Sequence, residues 1–229
     1  MYEELKIQVL ETAQRLYREK MNAGTGGNVS MCDPERKHII ITPTSYGYDV
    51  MKAEDIVVID FEGNVVEGWL RPSSEWRLHA VIYQRVPRAG AVLHIHSPYA
   101  TSFAALGKSI PVFLVEMVPF IKGSLDVSPY APPGTEEVGI GAAAILQEKN
   151  ACLLASHGAV AIGATMREAY INAVYVEDIA KIYHLAKCIG EPIEIKISNT
   201  MGAYEGRSPL IGVQNQSVGE TTWKKFWRT

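Results

Sequence analysis

Apolar residues recur every three or four positions at the start of the chain (3–21) and again from 169 to Gly190, with charged residues between them. This spacing predicts two amphipathic helices. Three shorter helices are predicted between these two, at 75–86, 98–107 and 134–149. We expect Ser73 or Ser74 to cap the first of the three, because serine is a favoured N-terminal cap.

Runs rich in β-branched residues and bounded by turn residues predict strands at 38–42, 55–60, 65–67 and 91–97. The run at 151–163 is interpreted as one buried strand or as a hairpin divided near Gly158, and 110–128 contains β-like pieces. Strands and helices mix without a strict βαβ alternation, which predicts one α/β domain of the three-layer αβα type, with a central, largely antiparallel sheet flanked by helices. We assign this domain to residues 1–190, and residues 191–229 to a C-terminal tail that we expect to be mobile.

Charge and cysteine content narrow the classes of function. The net charge is −3 and no basic block is present, so nothing indicates a nucleic-acid partner. No apolar run approaches the roughly 20 residues that span a bilayer, so no membrane partner is expected. The three cysteines are far apart and lack C-x-x-C spacing, which favours a reducing, cytoplasmic location over a disulfide framework or a cysteine-built zinc site.

His94 and His96 lie within the apolar run predicted as a strand. Side chains two positions apart on a strand share a face, so both imidazoles are expected to point the same way. A shared divalent metal ion would give both a partner, and hydrogen-bonded core histidines are the alternative. His157, before Gly158 in another apolar run, would complete a set of three imidazoles, the usual ligand count of a catalytic zinc site with an open position.

Glu75 is the carboxylate of interest because it follows two serines at a predicted helix start. Backbone N–H groups and the helix dipole attract an anion there, although a capping role would explain the same pattern. His38, His79 and His184 are assigned to structural or surface positions. The glycine-rich stretch 24–28 fits an anion site as well as it fits a tight turn between a helix and a strand.

Several motifs follow one another along residues 5–190: GTGGNVS (24–30), ITPTSYGYD (41–49), RPSSEWRLH (71–79), AVLHIHSPYAT (91–101), SPYAPPGT (128–135) and LLASHGAVAIG (153–163). In these motifs the sequence resembles the class II aldolase family of the L-fuculose-1-phosphate aldolase and L-ribulose-5-phosphate 4-epimerase type. The resemblance implies a central antiparallel sheet flanked by helices. It also implies a homotetramer of cyclic four-fold symmetry with active sites between neighbouring subunits, which the tail would help to complete.

The resemblance further implies roles for particular residues. His94, His96 and His157 would hold one divalent metal ion per chain, usually zinc (Zn2+), with Co2+, Mn2+ or Fe2+ as alternatives. Glu75 would be the catalytic carboxylate that moves a proton at C3 of the substrate, and it can also ligate the resting metal ion. The substrate phosphate would be bound by residues at six positions, Gly27, Asn28, Thr44, Ser45, Ser73 and Ser74.

The reaction implied by the resemblance is the reversible cleavage of a ketose 1-phosphate into dihydroxyacetone phosphate and an aldehyde. The candidate substrates are L-fuculose 1-phosphate, a 5-deoxypentulose 1-phosphate and methylthioribulose 1-phosphate. Glu75 ends a PSSE motif where the epimerases of the family have aspartate, and this favours an aldolase over an epimerase. A methylthioribulose-1-phosphate dehydratase or a non-catalytic interaction module like the adducin head domain would fit the same fold, and the retained histidines argue against the interaction module.

Two positions depart from the family pattern. Ser45 replaces the glycine of the usual ITPTG phosphate motif. Val115 stands where fuculose-phosphate aldolase has a tyrosine that serves the neighbouring active site, and this predicts a pocket better suited to apolar aldehydes. Tyr130 or Tyr204 would then be the alternative proton donor to the aldehyde.

Overall fold

Strands of two to six residues form one sheet in the computed structural model, which describes residues 2–196. They are β1 (Asn28–Cys32), β2 (Ile39–Ile41), β3 (Val57–Ile59), β4 (Val65–Glu67), β5 (Ala91–Ile95), β6 (Val127–Ser128), β7 (Ala151–Leu154) and β8 (Gly158–Gly163). Their order across the sheet is β4-β3-β2-β1-β5-β8-β7-β6. All neighbours pair antiparallel except β6 and β7, which are parallel.

Helices cover both faces of this sheet. They are α1 (Glu3–Arg18), α2 (Trp76–Arg85), α3 (Pro98–Ala105), α4 (Glu136–Leu146) and α5 (Met166–Ile189). Apolar residues of α1, α3 and α5 form one core with one face of the sheet. Apolar residues of α2 and α4 form a second core with the opposite face. The fold is therefore three layers, helices on a sheet on helices.

The two cores follow from the alternation of side chains along each strand. In β2, Ile40 packs in the core with α1, whereas Ile39 and Ile41 pack in the core with α2. In β5, Leu93 lies on the α1 side and Val92 on the α2 side. Because both faces of these central strands are covered, the strands read as continuous apolar runs in the sequence.

The predicted fold class is confirmed, because the sheet is mostly antiparallel and helices flank it. The run at 151–163 forms the hairpin, with β7 and β8 pairing antiparallel on either side of a turn. The predicted returning strand at 65–67 is also present and pairs with β3. Both long helices form, although α1 ends at Arg18, earlier than predicted.

Two local predictions were wrong, and one strand was missed. The first strand, β1, was not predicted, because its stretch NVSMC lacks a β-branched run. The predicted strand at 91–97 ends at Ile95, so His96 lies just beyond it. No serine side chain caps α2, because Glu75 itself occupies the N-cap position. The β-like pieces expected in 110–128 are present as β6 and as an isolated bridge between Ile110 and Leu125, and the segment also contains a π-helical turn at Met117–Ile121.

Part of the sequence lies outside the described residues. Most of the predicted tail, including Tyr204, falls there. Within residues 2–196, no helix is long and apolar enough to cross a membrane.

The carboxylate of Glu177 ties α5 to the beginning of α3. Its two oxygens accept hydrogen bonds from the backbone N–H groups of Tyr99, at 3.0 Å, and Ala100, at 2.9 Å. These groups belong to the first turn of α3, where backbone donors have no partner within the helix and the helix dipole favours a negative charge. Glu177 therefore fixes the helix that follows directly after the two histidines at the end of β5.

Replacing Glu177 with glutamine should lower the thermal unfolding midpoint. The amide keeps one acceptor but loses the charge, a loss of about 1 kcal/mol at a helix N-terminus, which corresponds to about 2–4 °C for a chain of this size. Asp178→Asn is the matched control, since it removes the same charge at the next, exposed position of α5. Equal midpoints for the two variants, measured by circular dichroism, would contradict this role.

Candidate metal centre

Glu75, His94, His96 and His157 come together although they are far apart in the sequence. One ligand atom from each lies within 4.8 Å of the others. Glu75 and His94 are buried and the other two are half-buried. The site lies at the end of β5, beside the turn between β7 and β8 and the N-terminus of α2.

Strand pairing places His94 in the middle of the sheet. It lies opposite Asn28 of β1 and opposite Val160 of β8. Its Nδ1 lies 3.0 Å from the carbonyl oxygen of Ala159, which can only accept a hydrogen bond. Nδ1 of His94 therefore carries the hydrogen, and in the neutral ring Nε2 presents a lone pair to the centre of the site.

His96 is held by the loop that follows α1 and not by a neighbouring strand. Its backbone N–H donates to the side-chain oxygen of Asn22, at 2.9 Å. This contact turns the chain at the end of β5 and directs the ring of His96 toward that of His94. The two Nε2 atoms are 2.8 Å apart, and the ring centroids are 4.6 Å apart.

The turn between β7 and β8 brings His157 to the other two imidazoles. Ser156 adopts a left-handed conformation with φ of 56° in this turn. Gly158 follows, and a Cβ there would lie 2.4 Å from the carbonyl oxygen of Ile95 and 2.9 Å from the ring of His96. Only glycine allows this close approach of β8 to β5, and so the ring centroid of His157 comes within 5.2 Å of that of His96.

Glu75 faces the imidazoles from the N-terminus of α2. Its Oε2 lies 3.2 Å from Nε2 of His94 and accepts a hydrogen bond of 2.8 Å from the amide of Asn28. Its Oε1 lies 3.1 Å from Nε2 of His157 but accepts no well-aligned hydrogen bond. The two carboxylate oxygens therefore have different surroundings: Oε2 faces His94 and is fixed by an amide, whereas Oε1 faces His157.

Opposing effects set the protonation of these groups. Burial raises the pKa of Glu75, but the nearby imidazoles of His157 and His94 favour the carboxylate and hold the pKa well below its usual range. Burial, with repulsion from the other two histidines, lowers the pKa of His96 to about 4. At neutral pH the site therefore contains a carboxylate and an uncharged His96.

The donor set fits a divalent metal ion. Imidazole nitrogens and carboxylate oxygens at a tetrahedral zinc ion lie about 3.3 Å apart, given bond lengths of about 2.0–2.1 Å. The contacts made by Nε2 of His94 and His157 with Glu75 are close to this value. Glu75 Oε1 is also buried without a hydrogen-bond partner, which a bound cation would supply.

The segments that hold the predicted phosphate-binding residues lie side by side. The N–H of Thr42 donates to the carbonyl oxygen of Val29 at 3.1 Å, and the carbonyl oxygen of Thr42 accepts from the N–H of Ser73 at 3.0 Å. The N–H of Thr44 donates to the carbonyl oxygen of Arg71 at 3.1 Å. These contacts gather the stretches around 27–29, 42–45 and 71–74 next to Glu75.

The six predicted phosphate-binding residues differ in their environment. Ser45 and Ser74 are exposed, and Gly27 and Thr44 are half-buried. Asn28 is buried, and its side chain contacts Glu75 and His79, so the amide oxygen and one amide hydrogen are already engaged. Ser73 is also buried, and its hydroxyl accepts from the N–H of Glu75 at 3.3 Å.

The other candidate residues lie apart from this cluster. His38 contacts the hydroxyl of Tyr2, and His184 is exposed on α5. Val115 and Tyr130 are also exposed, by 46% and 65%. His79 is fully buried and connected to Glu75 through Asn28, a link not foreseen from the sequence.

Comparisons with known proteins identify the family of this chain. A family model described as the class II aldolase and adducin N-terminal domain matches residues 7–184. A solved structure of an L-fuculose 1-phosphate aldolase superposes with a TM-score of 0.84 at 36% identity, covering 88% of this chain and 95% of that one.

Two relatives are similar over most of their length. A protein of Rhodospirillum rubrum, named 5-methylthioribulose-1-phosphate/5-deoxyribulose-1-phosphate aldolase, is 36% identical over 188 residues, which is 82% of this chain and 84% of that protein. A protein of Bacillus thuringiensis serovar kurstaki, named 5-deoxy-D-ribulose 1-phosphate aldolase, is 31% identical over 202 residues, which is 87% of this chain and 94% of that protein. The chain therefore belongs to the class II aldolase and adducin N-terminal domain family.

Proposed function

We propose that this chain is a metal-dependent aldolase that reversibly cleaves a ketose 1-phosphate into dihydroxyacetone phosphate and an aldehyde. The observation that carries this proposal is the convergence of one carboxylate and three imidazoles in a chain of this family. The names of the two relatives and of the fuculose-phosphate aldolase structure support the reaction. Among the candidate substrates, we favour a 5-deoxypentulose 1-phosphate or methylthioribulose 1-phosphate over L-fuculose 1-phosphate.

His94, His96 and His157 would hold the metal ion, with Glu75 as a further ligand in the resting site. Zinc is the first candidate, because it accepts both imidazole and carboxylate ligands, and Co2+, Mn2+ or Fe2+ are the alternatives. When bound, the ion would act as a Lewis acid that stabilises the negative charge developing on the substrate as the C3–C4 bond breaks.

Glu75 would be the proton-transfer residue. It lies at the centre of the site and is ionised at neutral pH, as a general base must be. In the direction of synthesis it would remove a proton from C3 of dihydroxyacetone phosphate, and in cleavage it would return that proton. Its unengaged oxygen, Oε1, is the atom free to do so.

The phosphate would be anchored beside Glu75 by Gly27, Thr44, Ser45, Ser73 and Ser74, with the backbone of Asn28. The hydroxyl groups of these residues are suitable donors to phosphate oxygens, and so are the backbone N–H groups of Gly27, Ser45 and Ser74, whereas those of Thr44 and Ser73 already donate to carbonyl oxygens. Fixing the phosphate orients C3 of the substrate toward Glu75, which is how remote binding contributes to rate.

The aldehyde half of the site would be completed by a neighbouring subunit. Val115 and Tyr130 are exposed in the isolated chain, which supports a role across an interface. We therefore propose a homotetramer with shared active sites. We also propose that residues 1–190 form the catalytic domain, an assignment supported by the family match over residues 7–184.

Three competing functions are distinguished by products and metal content. A methylthioribulose-1-phosphate dehydratase would keep the carbon skeleton, whereas an aldolase releases dihydroxyacetone phosphate. An epimerase would return an intact sugar phosphate of changed configuration. An adducin-like interaction module would need neither a metal ion nor Glu75, and the four converging ligands argue against it.

The purified protein should contain about one divalent ion per chain, because three imidazoles form one site. His96→Ala should lose both the ion and the release of dihydroxyacetone phosphate. His184→Ala is the matched control, since it removes an exposed histidine of α5 outside the cluster. The metal content of the wild type and of both variants would be measured by elemental mass spectrometry. Full activity in metal-free protein would refute the mechanism.

Glu75→Gln should lower kcat by roughly 10²–10⁴, the usual contribution of general acid–base catalysis. The amide keeps the shape of the side chain but cannot take up a proton. Metal content should change much less than in His96→Ala, because the three imidazoles remain. Glu148→Gln, at an exposed acid, serves as the control. If kcat stays near the wild-type value, the proton is moved by another group.

The ratio of kcat/KM for 5-deoxyribulose 1-phosphate to that for L-fuculose 1-phosphate should exceed one. Valine at position 115 cannot pair with the hydroxyl of lactaldehyde, and an unpaired buried hydroxyl costs about 1–3 kcal/mol. It instead favours acetaldehyde or methylthioacetaldehyde through apolar contact.

Val115→Tyr should move this ratio toward L-fuculose 1-phosphate by roughly 10-fold, since it restores a donor worth about 1–3 kcal/mol. Val65→Tyr, at an exposed valine of the edge strand β4, is the matched control and should leave the ratio unchanged. A wild-type preference for L-fuculose 1-phosphate would exclude this account of specificity.

Light scattering of the same samples should give the mass of a tetramer.

A further inference from the structure

Buried polar side chains continue from Glu75 into the core between β1 and α2. Oε2 of Glu75 accepts from the amide of Asn28 at 2.8 Å, and the oxygen of that amide contacts Nε2 of His79. Nδ1 of His79 lies 2.6 Å from the hydroxyl of Ser30, which lies 2.7 Å from the hydroxyl of Tyr83. Each of these residues is less than a tenth exposed, and His79 and Ser30 are fully buried.

The spacing of these residues follows from their elements. Glu75, His79 and Tyr83 are four residues apart and therefore lie along one side of α2. Asn28 and Ser30 are two apart on β1 and share the face of the sheet that α2 covers. These three residues of the helix thus face these two residues of the strand. Along the chain of hydrogen bonds, a residue from the helix side alternates with a residue from β1.

The chemistry of the groups gives this chain of hydrogen bonds a single direction. The carboxylate of Glu75 can only accept, so the NH2 group of Asn28 must face it and the amide oxygen must face His79. Nε2 of His79 therefore carries the hydrogen and donates to that oxygen. Burial lowers the pKa of His79 to about 3, so the ring is neutral and Nδ1 accepts from the hydroxyl of Ser30. The hydroxyl of Tyr83 then donates to Ser30.

We propose that His79 is a positioning residue, which fixes the orientation of the Asn28 amide and thereby holds Glu75 with Oε2 engaged by that amide and Oε1 directed at His157. This inference rests on the proposed role of Glu75. Without the N–H of His79, the amide of Asn28 can rotate and present its oxygen to the carboxylate. Glu75 would then lose the donor to Oε2, and repulsion between the two oxygens would displace it.

A purely structural role does not explain why the chain of hydrogen bonds ends on Glu75. A buried polar group contributes little net stability even when it is hydrogen-bonded, and apolar side chains of the same shape would fill this space as well. Partners behind a metal-site residue typically change metal affinity or activity by roughly 10–100-fold when they are removed. An effect of that size on kcat and on the metal Kd is therefore expected for His79.

The test compares His79→Phe with His79→Gln. Phenylalanine fills the space but offers no N–H, whereas glutamine keeps an N–H donor for the oxygen of Asn28. At saturating zinc, kcat of His79→Phe should fall by roughly 10–100-fold with KM for the ketose phosphate within about 3-fold, and the Kd for zinc should rise by roughly 10-fold or more. His79→Gln should recover most of both losses. His38→Phe makes the same change at a hydrogen-bonded histidine outside this set of residues and should leave both quantities unchanged.

The dependence on Glu75 is tested in a Glu75→Gln background. There His79→Phe should cause little further loss of kcat, because the residue through which it acts is already inactive. Equal losses in both backgrounds, or wild-type kcat and zinc Kd in folded His79→Phe, would overturn the proposal. Should His79→Phe not fold, ¹⁵N NMR of the wild-type imidazole decides: a neutral Nε2–H ring supports the directed hydrogen bonds, and an Nδ1–H ring refutes them. If the wild type cleaves no ketose 1-phosphate, the aldolase proposal fails, while the zinc Kd and the NMR spectrum still decide the role of His79.

Discussion

A buried carboxylate lies among three imidazoles at the end of the central sheet, and the arrangement of the surrounding chain depends on keeping them there. Three imidazole nitrogens and a carboxylate oxygen within a few ångströms repel one another unless hydrogens or a cation lie between them. The hydrogen bond from Nδ1 of His94 to Ala159 removes the hydrogen from the facing nitrogen. The protein thus maintains an electron-rich site, which is the condition for binding a divalent cation.

Close backbone approach is the second constraint, and it comes from the sheet. Gly158 begins β8 against the carbonyl oxygen of Ile95, so His157 reaches a site built mainly from β5 and α2. The antiparallel register sets Asn28 opposite His94 across the same face. The apolar residues on both faces of β5 hold this register, because a slip by one residue would turn His94 into the opposite core. The apolar packing of β5 therefore also fixes the position of His94 in the site.

The sequence alone was sufficient for the layers and for the approach of His94 to His96, because both depend on local periodicity, but it left open whether 151–163 is one strand or a hairpin. It was not sufficient for β1, whose single β-branched residue, Val29, carries no strand signal, and so the link from Asn28 to His79 was missed. The π-helical turn at Met117–Ile121 depends on distant contacts, such as the ring of Phe120 stacked 3.9 Å from that of Tyr175. Likewise His96 leaves the strand because Asn22 binds its backbone. Such long-range contacts leave no trace in a local pattern.

The spacing of Glu75, His79 and Tyr83 was nevertheless present in the sequence as a polar stripe along one side of the predicted helix. A polar stripe at intervals of four usually marks the solvent side of a helix. Here the stripe is buried and faces the polar positions of β1. The burial of so many polar groups is tolerable only because each donor among them faces an acceptor, from Tyr83 to the carboxylate of Glu75. A single misplaced donor would leave an unpaired polar group in the core, so the matching that avoids this cost also fixes the direction in which Glu75 points.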